Sequence, residues 1–170
     1  MEIKPGKLPK ATNYKKGRDG VIKYIVIHST GQDGDTAAGN SVRSSENRLL
    51  KSAHYFVDEY EVFTSVPVQD IAWHCSTSGS YYHPDCRNAN SIGIEMCSRK
   101  TAQGQCYIKP ETVSNTAALV RYLMKTYKIS AQNVLRHYDI TRQNCPMPFV
   151  LDETLWEDFK NKIIQKESCS

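Results

Sequence analysis

The sequence lacks a long hydrophobic run. None of its apolar stretches approaches the roughly 18 residues of a membrane-spanning helix, so we expect no membrane insertion. The N-terminal residues also lack the apolar segment of a secretory signal. We therefore expect a protein that is made in the cytoplasm, or a secreted one whose leader has been removed.

A strong charge imbalance is also missing. The 170 residues include 22 basic and 18 acidic side chains, which gives a formal net charge of +4. Because no segment combines a basic run with aromatic residues, we expect no nucleic-acid partner. Six basic residues fall among the first eighteen, and they predict that residues 1–20 form a solvated basic leader, with binding to an anionic surface such as a cell wall or nucleic acid as the alternative.

Internal repeats and low-complexity linkers are absent too, which favours a single domain at residues 21–168. We expect this domain to be a monomer. Apolar patterning alternates between periods typical of strands and of helices. It predicts an α/β fold, with a central mixed sheet of about five to six strands and two to three main helices. Strands are predicted at 21–28, 53–58, 61–66, 71–75, 91–97 and 134–137, and helices at 42–51, 110–127 and 152–165.

Six cysteines are present, yet a chain of this length needs no disulfides to build a core. Cys97 and Cys106 bracket a predicted hairpin and could pair in an oxidising compartment, as could Cys75 and Cys86. Cys145 has a different context, because it follows a histidine at a spacing of eight residues.

Three residues of metal-binding type lie at the ends of apolar runs or in the loop that comes next. His28 ends the run 24–27, His137 follows 134–136, and Cys145 lies in the next loop. Two imidazoles and a thiolate leave one position of a tetrahedral zinc ion open, which is typical of catalytic sites. If each histidine closes its strand, both lie at the same end of the sheet. The alternative is that both are hydrogen-bonded strand-end histidines and Cys145 is buried.

Glu95 ends another apolar run, at residues 91–95. A carboxylate is costly to bury in a core strand, so Glu95 is predicted to face a cleft or a metal-activated water. The sequence thus predicts a zinc hydrolase. A second cluster of ligand types exists, but neighbouring residues of a strand point to opposite faces, which disfavours it; its members are His74, Cys75, His83 and Cys86.

Five segments together resemble the zinc-dependent N-acetylmuramoyl-L-alanine amidases, the superfamily of phage lysozymes, peptidoglycan-recognition proteins and cytosolic anhydro-muropeptide amidases. The resemblance extends over about residues 21–150 and is strongest to catalytic domains of phage or prophage endolysins. The segments are Tyr24-Ile-Val-Ile-His-Ser-Thr30, Ser52-Ala-His-Tyr-Phe-Val-Asp58, Ala72-Trp-His74, Asn90-Ser-Ile-Gly-Ile-Glu95 and Arg136-His-Tyr-Asp-Ile-Thr-Arg-Gln-Asn-Cys-Pro146.

The resemblance implies that His28, His137 and Cys145 bind one zinc ion and that Glu95 is catalytic. His54 occupies the position of a catalytic tyrosine in phage lysozymes, although a strand histidine facing inward is an equal alternative.

One departure concerns a lysine that relatives carry two positions before the third ligand. This chain has Gln143 there, with Arg142 beside it, and either side chain is a candidate for stabilising the oxyanion.

The implied reaction is hydrolysis of the amide between the lactyl group of N-acetylmuramic acid and L-alanine in peptidoglycan, outside the cell after release. Trp73 is expected in the core, with sugar binding as the alternative. A cytosolic muropeptide-recycling amidase, a non-catalytic peptidoglycan-binding module and a structural zinc or redox protein remain alternatives. Predicted substrate contacts are His74, Tyr81, Tyr82, Tyr55 and Asn90.

Overall fold

A computed structural model describes residues 2–46 and 50–165. Within these ranges, short 3-10 turns connect several of the strands and helices. The strands are β1 (Tyr14–Lys15), β2 (Tyr24–Ser29), β3 (Tyr55–Val57), β4 (Val62–Thr64), β5 (Ile71–Ala72), β6 (Ser91–Met96), β7 (Arg99–Lys100), β8 (Cys106–Tyr107) and β9 (Val134–Arg136). The α-helices are α1 (Ala37–Glu46), α2 (Pro110–Tyr127), α3 (His137–Thr141), α4 (Met147–Leu151) and α5 (Glu153–Ile164).

A central sheet with the strand order β4-β3-β6-β2-β9 organises the described residues. Strands β3, β6, β2 and β9 are parallel, and β4 pairs with β3 in the antiparallel direction. The predicted α/β fold with a mixed sheet is therefore confirmed. The register places His28 directly beside Glu95 on the two middle strands.

The sheet has an apolar face that carries the main core. Side chains at alternate positions of the central strands point to this face, where they pack against α2 and α5. From β2 and β6 it receives Ile25, Ile27, Ile92, Ile94 and Met96, and from the helices Leu119, Leu123, Trp156 and Phe159, among others.

The intervening positions form the opposite face, which we call the polar face because it carries His28, His54, Gly93 and Glu95. Short apolar clusters around Val26 and Phe56 pack beside these groups. Helix α1 packs against β3 and β4, and α3 against β2 and β9. The same strands therefore supply one continuous core and one face rich in polar groups.

Several predicted boundaries are corrected. Strand β2 begins at Tyr24 instead of residue 21, and β5 ends at Ala72 instead of residue 75. His137 does not close β9 but begins α3. The match is closest for α2, which has the predicted bounds and Pro110 in its first turn.

Helix α1 occupies 37–46 where a helix was predicted at 42–51, of which 47–49 lie outside the described residues. Thr36 explains the early start, because its hydroxyl accepts a hydrogen bond from Gly39 N at 3.1 Å and caps the helix. The Asp58 carboxylate satisfies a second free amide of the first turn by accepting from Ala37 N at 2.8 Å.

The prediction that residues 1–20 form a solvated leader is also corrected, for residues 2–20. Lys4 exchanges backbone hydrogen bonds with Val62 and Thr64, and β1 pairs with β5. The half-buried Arg18 side chain donates to backbone oxygens of separate segments, which makes this segment part of the fold; the acceptors are Val68, Asp70, Asn88, Ala89 and Ser91.

The predicted hairpin between Cys97 and Cys106 is present as β7 and β8. All five cysteines in the described ranges are free thiols, and Cys169 lies outside these ranges. Among the described helices, none has both the length and the apolar composition needed to cross a membrane.

Candidate active site

A cavity of about 300 Å³ opens on the polar face. It lies where the carboxyl ends of the parallel strands meet the loops that follow them, the usual position for ligands in open α/β sheets. The structure brings six of the predicted site residues to this cavity: His28, His74, Glu95, His137, Gln143 and Cys145.

Three of these residues form a compact set of potential metal ligands. The donor atoms of His28, His137 and Cys145 lie within 4.8 Å of one another. Cys145 Sγ is 3.7 Å from His28 Nδ1, close to the roughly 3.6 Å that tetrahedral zinc–nitrogen and zinc–sulfur bonds require. Strand β2 delivers His28, the first turn of α3 delivers His137, and the following loop delivers Cys145.

Hydrogen bonds fix which nitrogen of His28 faces this site. The Ser91 hydroxyl donates to Arg87 O at 2.7 Å, so its oxygen accepts from His74 Nε2 at 3.2 Å. His74 Nδ1 is then free of a proton and accepts from His28 Nε2 at 3.1 Å. A lone pair on His28 Nδ1 therefore points toward Cys145, as a metal ligand requires.

Burial keeps the histidines neutral. It lowers the pKa of His28 well below its usual value, with a smaller contribution from the charge of His137. It also lowers the pKa of His137 to about 4, although a hydrogen bond to the Ser76 backbone opposes this shift. Neutral imidazole is the form that binds metals.

Two groups, the His137 imidazole and the Cys145 thiol, indicate that the site fits a cation. His137 Nε2 is buried and has no hydrogen-bond partner in the described structure. Burial, aided by the charge of Glu95, raises the pKa of the Cys145 thiol to about 12. A bound cation would satisfy the imidazole and stabilise the thiolate, and two nitrogens with one sulfur match the preference of zinc.

Glu95 lies next to the potential ligands, because β6 pairs with β2 and sets it opposite His28. One carboxylate oxygen, Oε2, is buried without a hydrogen-bond partner among the described residues. Burial first, and the charge of Asp35 second, raise the pKa of Glu95 to about 7, and the charge of Lys51 opposes this shift. A carboxyl group with this pKa is suited to general acid–base chemistry near neutral pH.

His54 is fully buried on the polar face, but it is not among the residues that line the cavity. Its Nδ1 accepts a hydrogen bond from Gly93 N at 2.9 Å, and Nε2 lies 3.1 Å from Arg18 Nη2. Burial, followed by the charge of Arg18, lowers the pKa of His54 to about 3. This environment resembles that of a structural histidine more than that of a catalytic one.

Gln143 and Arg142, the two candidates for the oxyanion, point to different places. Gln143 lines the cavity. Arg142 has a left-handed backbone, with φ of 62°, and its guanidinium lies 5.2 Å from the ring centre of Tyr82 and 5.1 Å from that of Tyr138. Only Gln143 therefore remains next to the reacting groups.

The predicted substrate contacts are scattered. Tyr55 is buried in the main core, which removes it from the cavity surface. The Asn90 side chain binds the backbone of its own loop, at Asp85 O and Arg87 N. Tyr81 and Tyr82 are exposed on the loop, but neither lines the cavity.

Trp73 was expected in the core, but it is half-buried and lines the cavity with Phe56. These two rings give the cavity an apolar wall. Sequence reasoning also missed Lys51 and Arg43, which line the cavity, and Ser44, whose buried hydroxyl has no partner in the described residues. No local pattern marks these three positions.

The alternative ligand cluster does not assemble. His83 Nδ1 accepts hydrogen bonds from the backbone of Asp85 and Cys86, which occupies its lone pair. The sequence disfavours this cluster because His74 and Cys75 are predicted to be neighbouring strand residues. In the structure both lie beyond β5, and Cys75 Sγ is 3.2 Å from His74 Nδ1. Among residues 2–46 and 50–165, His28, His137 and Cys145 are the only close group of three ligands.

Comparisons with known proteins show the family to which the chain is similar. The model of the amidase 2 family, described as N-acetylmuramoyl-L-alanine amidase, matches residues 17–148. The N-acetylmuramoyl-L-alanine amidase CwlL of Bacillus licheniformis is 35% identical over 151 residues, which cover 84% of this chain and 41% of CwlL. The N-acetylmuramoyl-L-alanine amidase BlyA of Bacillus subtilis (strain 168) is 31% identical over 159 residues, which cover 86% of this chain and 42% of BlyA.

Solved structures show the same fold. The catalytic domain of XlyA superimposes with a TM-score of 0.75 at 27% identity, over 96% of this chain and 99% of that domain. The structure of PlyL gives a TM-score of 0.78 at 25% identity, over 96% of this chain and 97% of PlyL. The chain spans about two fifths of the length of CwlL and BlyA. On the family match and these identities, the chain belongs to the N-acetylmuramoyl-L-alanine amidase family.

Proposed function

We propose that this chain hydrolyses the amide bond between the lactyl group of N-acetylmuramic acid and L-alanine in peptidoglycan. The observation that carries the proposal is the convergence of His28, His137 and Cys145 within 4.8 Å, beside the buried carboxylate of Glu95. Family membership supplies the bond type, because the relatives are named for this amidase activity.

A single zinc ion is the proposed cofactor, held by His28, His137 and Cys145. Zinc in such a site lowers the pKa of water toward 7 and polarises a carbonyl group as a Lewis acid. His74 keeps the His28 lone pair directed at the site through their 3.1 Å hydrogen bond. Such supporting partners are a regular part of catalytic zinc centres.

Glu95 is the proposed general base and acid. Its Oε2 has no partner among the described residues, so it is available to a water molecule in the cavity. The carboxylate accepts a proton from the attacking water, and the resulting acid returns that proton to the nitrogen of the leaving L-alanine. A pKa of about 7 allows both transfers near neutral pH.

Substrate is proposed to enter along the wall formed by Trp73 and Phe56, which border the same cavity as the ligands. Flat apolar side chains of this kind pack well against sugar rings. Tyr81 and Tyr82 stay a prediction for contacts with the more distant parts of the wall polymer, since both are exposed on the neighbouring loop. The proposed place of action is the bacterial cell wall, as for endolysins.

The decisive experiment digests purified peptidoglycan with the zinc-loaded protein and analyses the products by mass spectrometry. We expect new free amino termini on L-alanine and no new reducing sugars. His137→Ala is the matched control, because it removes a ligand whose Nε2 has no other partner in the described structure. Products that also appear with this variant would contradict a metal-dependent reaction.

A comparison of two substrates distinguishes the proposed wall amidase from the nearest alternative, a muropeptide-recycling amidase. Hydrolysis of soluble anhydro-muropeptides but not of intact wall would assign the protein to muropeptide recycling. Binding to the wall without hydrolysis of either substrate would refute the enzymatic proposal and indicate a recognition module.

A further inference from the structure

The cavity contains a positive charge that has no partner among the described residues. Among its described lining residues, Arg43 and Lys51 are cationic. The Arg43 guanidinium donates a hydrogen bond to the Gln32 side chain, whereas Lys51 has no hydrogen-bond or ion-pair partner in residues 2–46 and 50–165. An ammonium group at the edge of a cavity with no partner among the described residues is available to a ligand.

The backbone around Lys51 is fixed although its side chain is free. Ser52 N donates to Trp73 O at 3.1 Å, and Trp73 N donates to Ser52 Oγ at 3.0 Å. The Ser52 hydroxyl also donates to Asn13 O at 2.6 Å. These bonds hold Lys51 at the rim beside Trp73, while the four-carbon stem of lysine lets the ammonium group reach into the cavity.

The charge of Lys51 acts on the centre of the site. After burial and Asp35, Lys51 is the next influence on the pKa of Glu95, and it lowers this value. Lys51 lines the same cavity as Glu95, His137 and Cys145, so its charge belongs to the site where these groups converge.

We propose that Lys51 is a catalytic residue that stabilises the negative charge developing on the carbonyl oxygen of the scissile amide. The inference rests on the amidase function proposed above. When water adds to the carbonyl carbon, the π electron pair moves onto the oxygen, and a nearby ammonium group stabilises this anion more than the neutral ground state.

Other side chains near the cavity are less suited to this role. Gln143 lines the cavity but offers only a neutral amide. Arg142 stacks on Tyr82 and Tyr138, and Arg43 is engaged by Gln32. Lys51 therefore supplies the available positive charge within the described part of the site.

The test measures kcat and KM of zinc-loaded Lys51→Met on a soluble muramoyl peptide. Methionine keeps the length of the side chain but removes the charge. We expect kcat to fall about 10- to 100-fold with KM nearly unchanged, less than the loss of a buried oxyanion donor because water screens Lys51. Lys51→Arg should retain most of the activity. The matched control is Lys125→Met, an exposed position on α2 beyond the apolar face.

Two further measurements address the role of the charge itself. Gln143→Lys, made in the Lys51→Met background, should restore most of kcat by returning a cation to the same cavity. A phosphinate analogue of the amide carries a tetrahedral anion, and calorimetry should show it bound to wild type more tightly than to Lys51→Met, by about the ratio of the kcat values.

The outcomes separate this inference from the proposed function. An unchanged kcat in Lys51→Met, or a rise in KM alone, would overturn the catalytic role of Lys51 while the amidase function stands. A wild-type protein without hydrolysis of peptidoglycan or muropeptides would overturn the amidase function itself. Equal affinity of wild type and Lys51→Met for the phosphinate would also count against the role of Lys51.

Discussion

The apolar and polar faces of the central sheet differ sharply although the same strands supply both. Ile25 and Ile27 of β2 point into the main core, whereas His28, one residue later, points to the cavity. In β6 the same alternation separates Ile94 from Glu95. Side-chain direction alternates at every residue of a strand, so a single residue step changes the chemistry completely.

The two faces are also stabilised in different ways. The apolar face depends on close packing against α2 and α5, which is non-directional and tolerant of exchange between similar side chains. The polar face depends on a chain of directed hydrogen bonds from His28 through His74 to Ser91. Substitutions on the first face should therefore affect stability, and those around the potential metal ligands of the second face should affect chemistry.

The largest expected effect is on folding, from Leu123→Ala on the apolar face. Leu123 is fully buried in the main core. Its loss leaves a cavity, and we expect the free energy of unfolding to fall by about 2–5 kcal/mol in urea titrations. Turnover per folded molecule should stay unchanged. Tyr122→Ala is the control, since that neighbour is 51% exposed; a similar loss there would argue against the packing explanation.

Glu95→Gln should have the largest effect on chemistry. The amide cannot accept the proton of the attacking water, so we expect turnover to fall at least about 100-fold. Zinc content, measured by atomic absorption, should equal that of wild type because Glu95 is not a proposed ligand. Near-normal turnover would show that another group acts as the base.

Gly93→Ala should weaken zinc binding. A Cβ atom at this position would lie 2.4 Å from His74 Cγ. The His74 ring cannot easily move, because His28 and His54 contact it edge to face at 5.2 and 5.7 Å between ring centres. We expect the zinc dissociation constant to rise about 10- to 100-fold in competition with a chelating dye.

Gly20→Ala is the matched control for this substitution, since nothing lies within 4 Å of the added Cβ. Equal zinc affinity of Gly93→Ala and wild type would show that His74 does not support the metal site.

The smallest expected effect is a loss of folding stability at acidic pH. Burial first, and the charge of Arg18 second, lower the pKa of His54 to about 3, against about 6.5 in an unfolded chain. Its contribution to stability is therefore complete above pH 6.5. It falls as the pH decreases toward 3, because the unfolded state binds the proton first.

His54→Gln isolates this contribution, because glutamine can accept from Gly93 N and does not titrate. In urea titrations of metal-free protein between pH 8 and 5, wild type should lose stability more steeply, by at most about 1.4 kcal/mol per pH unit. Parallel curves for the two proteins would mean that His54 titrates normally in the folded state.

Elements with a strong local pattern could be predicted. The bounds of α2 follow from its helical period and Pro110, and the apolar run of β6 locates Glu95 at the strand end. Residue type and position after apolar runs indicated that His28, His137 and Cys145 converge, and the family resemblance favoured this prediction over the alternative of hydrogen-bonded strand-end histidines. In these places local propensity and tertiary packing favour the same conformation.

Features that depend on distant contacts could not be predicted. Lys51 reaches the cavity because Ser52 pairs with Trp73, and no pattern around residue 51 records that pairing. The start of α1 was missed because Gly39 and Asn40 are typical of loops, although Thr36 is a residue type that commonly caps a helix. Arg18 appeared to belong to a solvated basic segment, since its acceptors lie 50 to 73 residues further along the chain.

The hydrogen bonds of Arg18 have a consequence for how the chain folds during synthesis. Its guanidinium contacts backbone oxygens as far along as Ser91. Residues 2–20 leave the ribosome before these partners, which follow Arg18 by 50 to 73 residues and emerge several seconds later at typical elongation rates. Residues 2–20 must therefore remain without these partners until then. Their docking is a late, non-local event that completes the buried surroundings of His54.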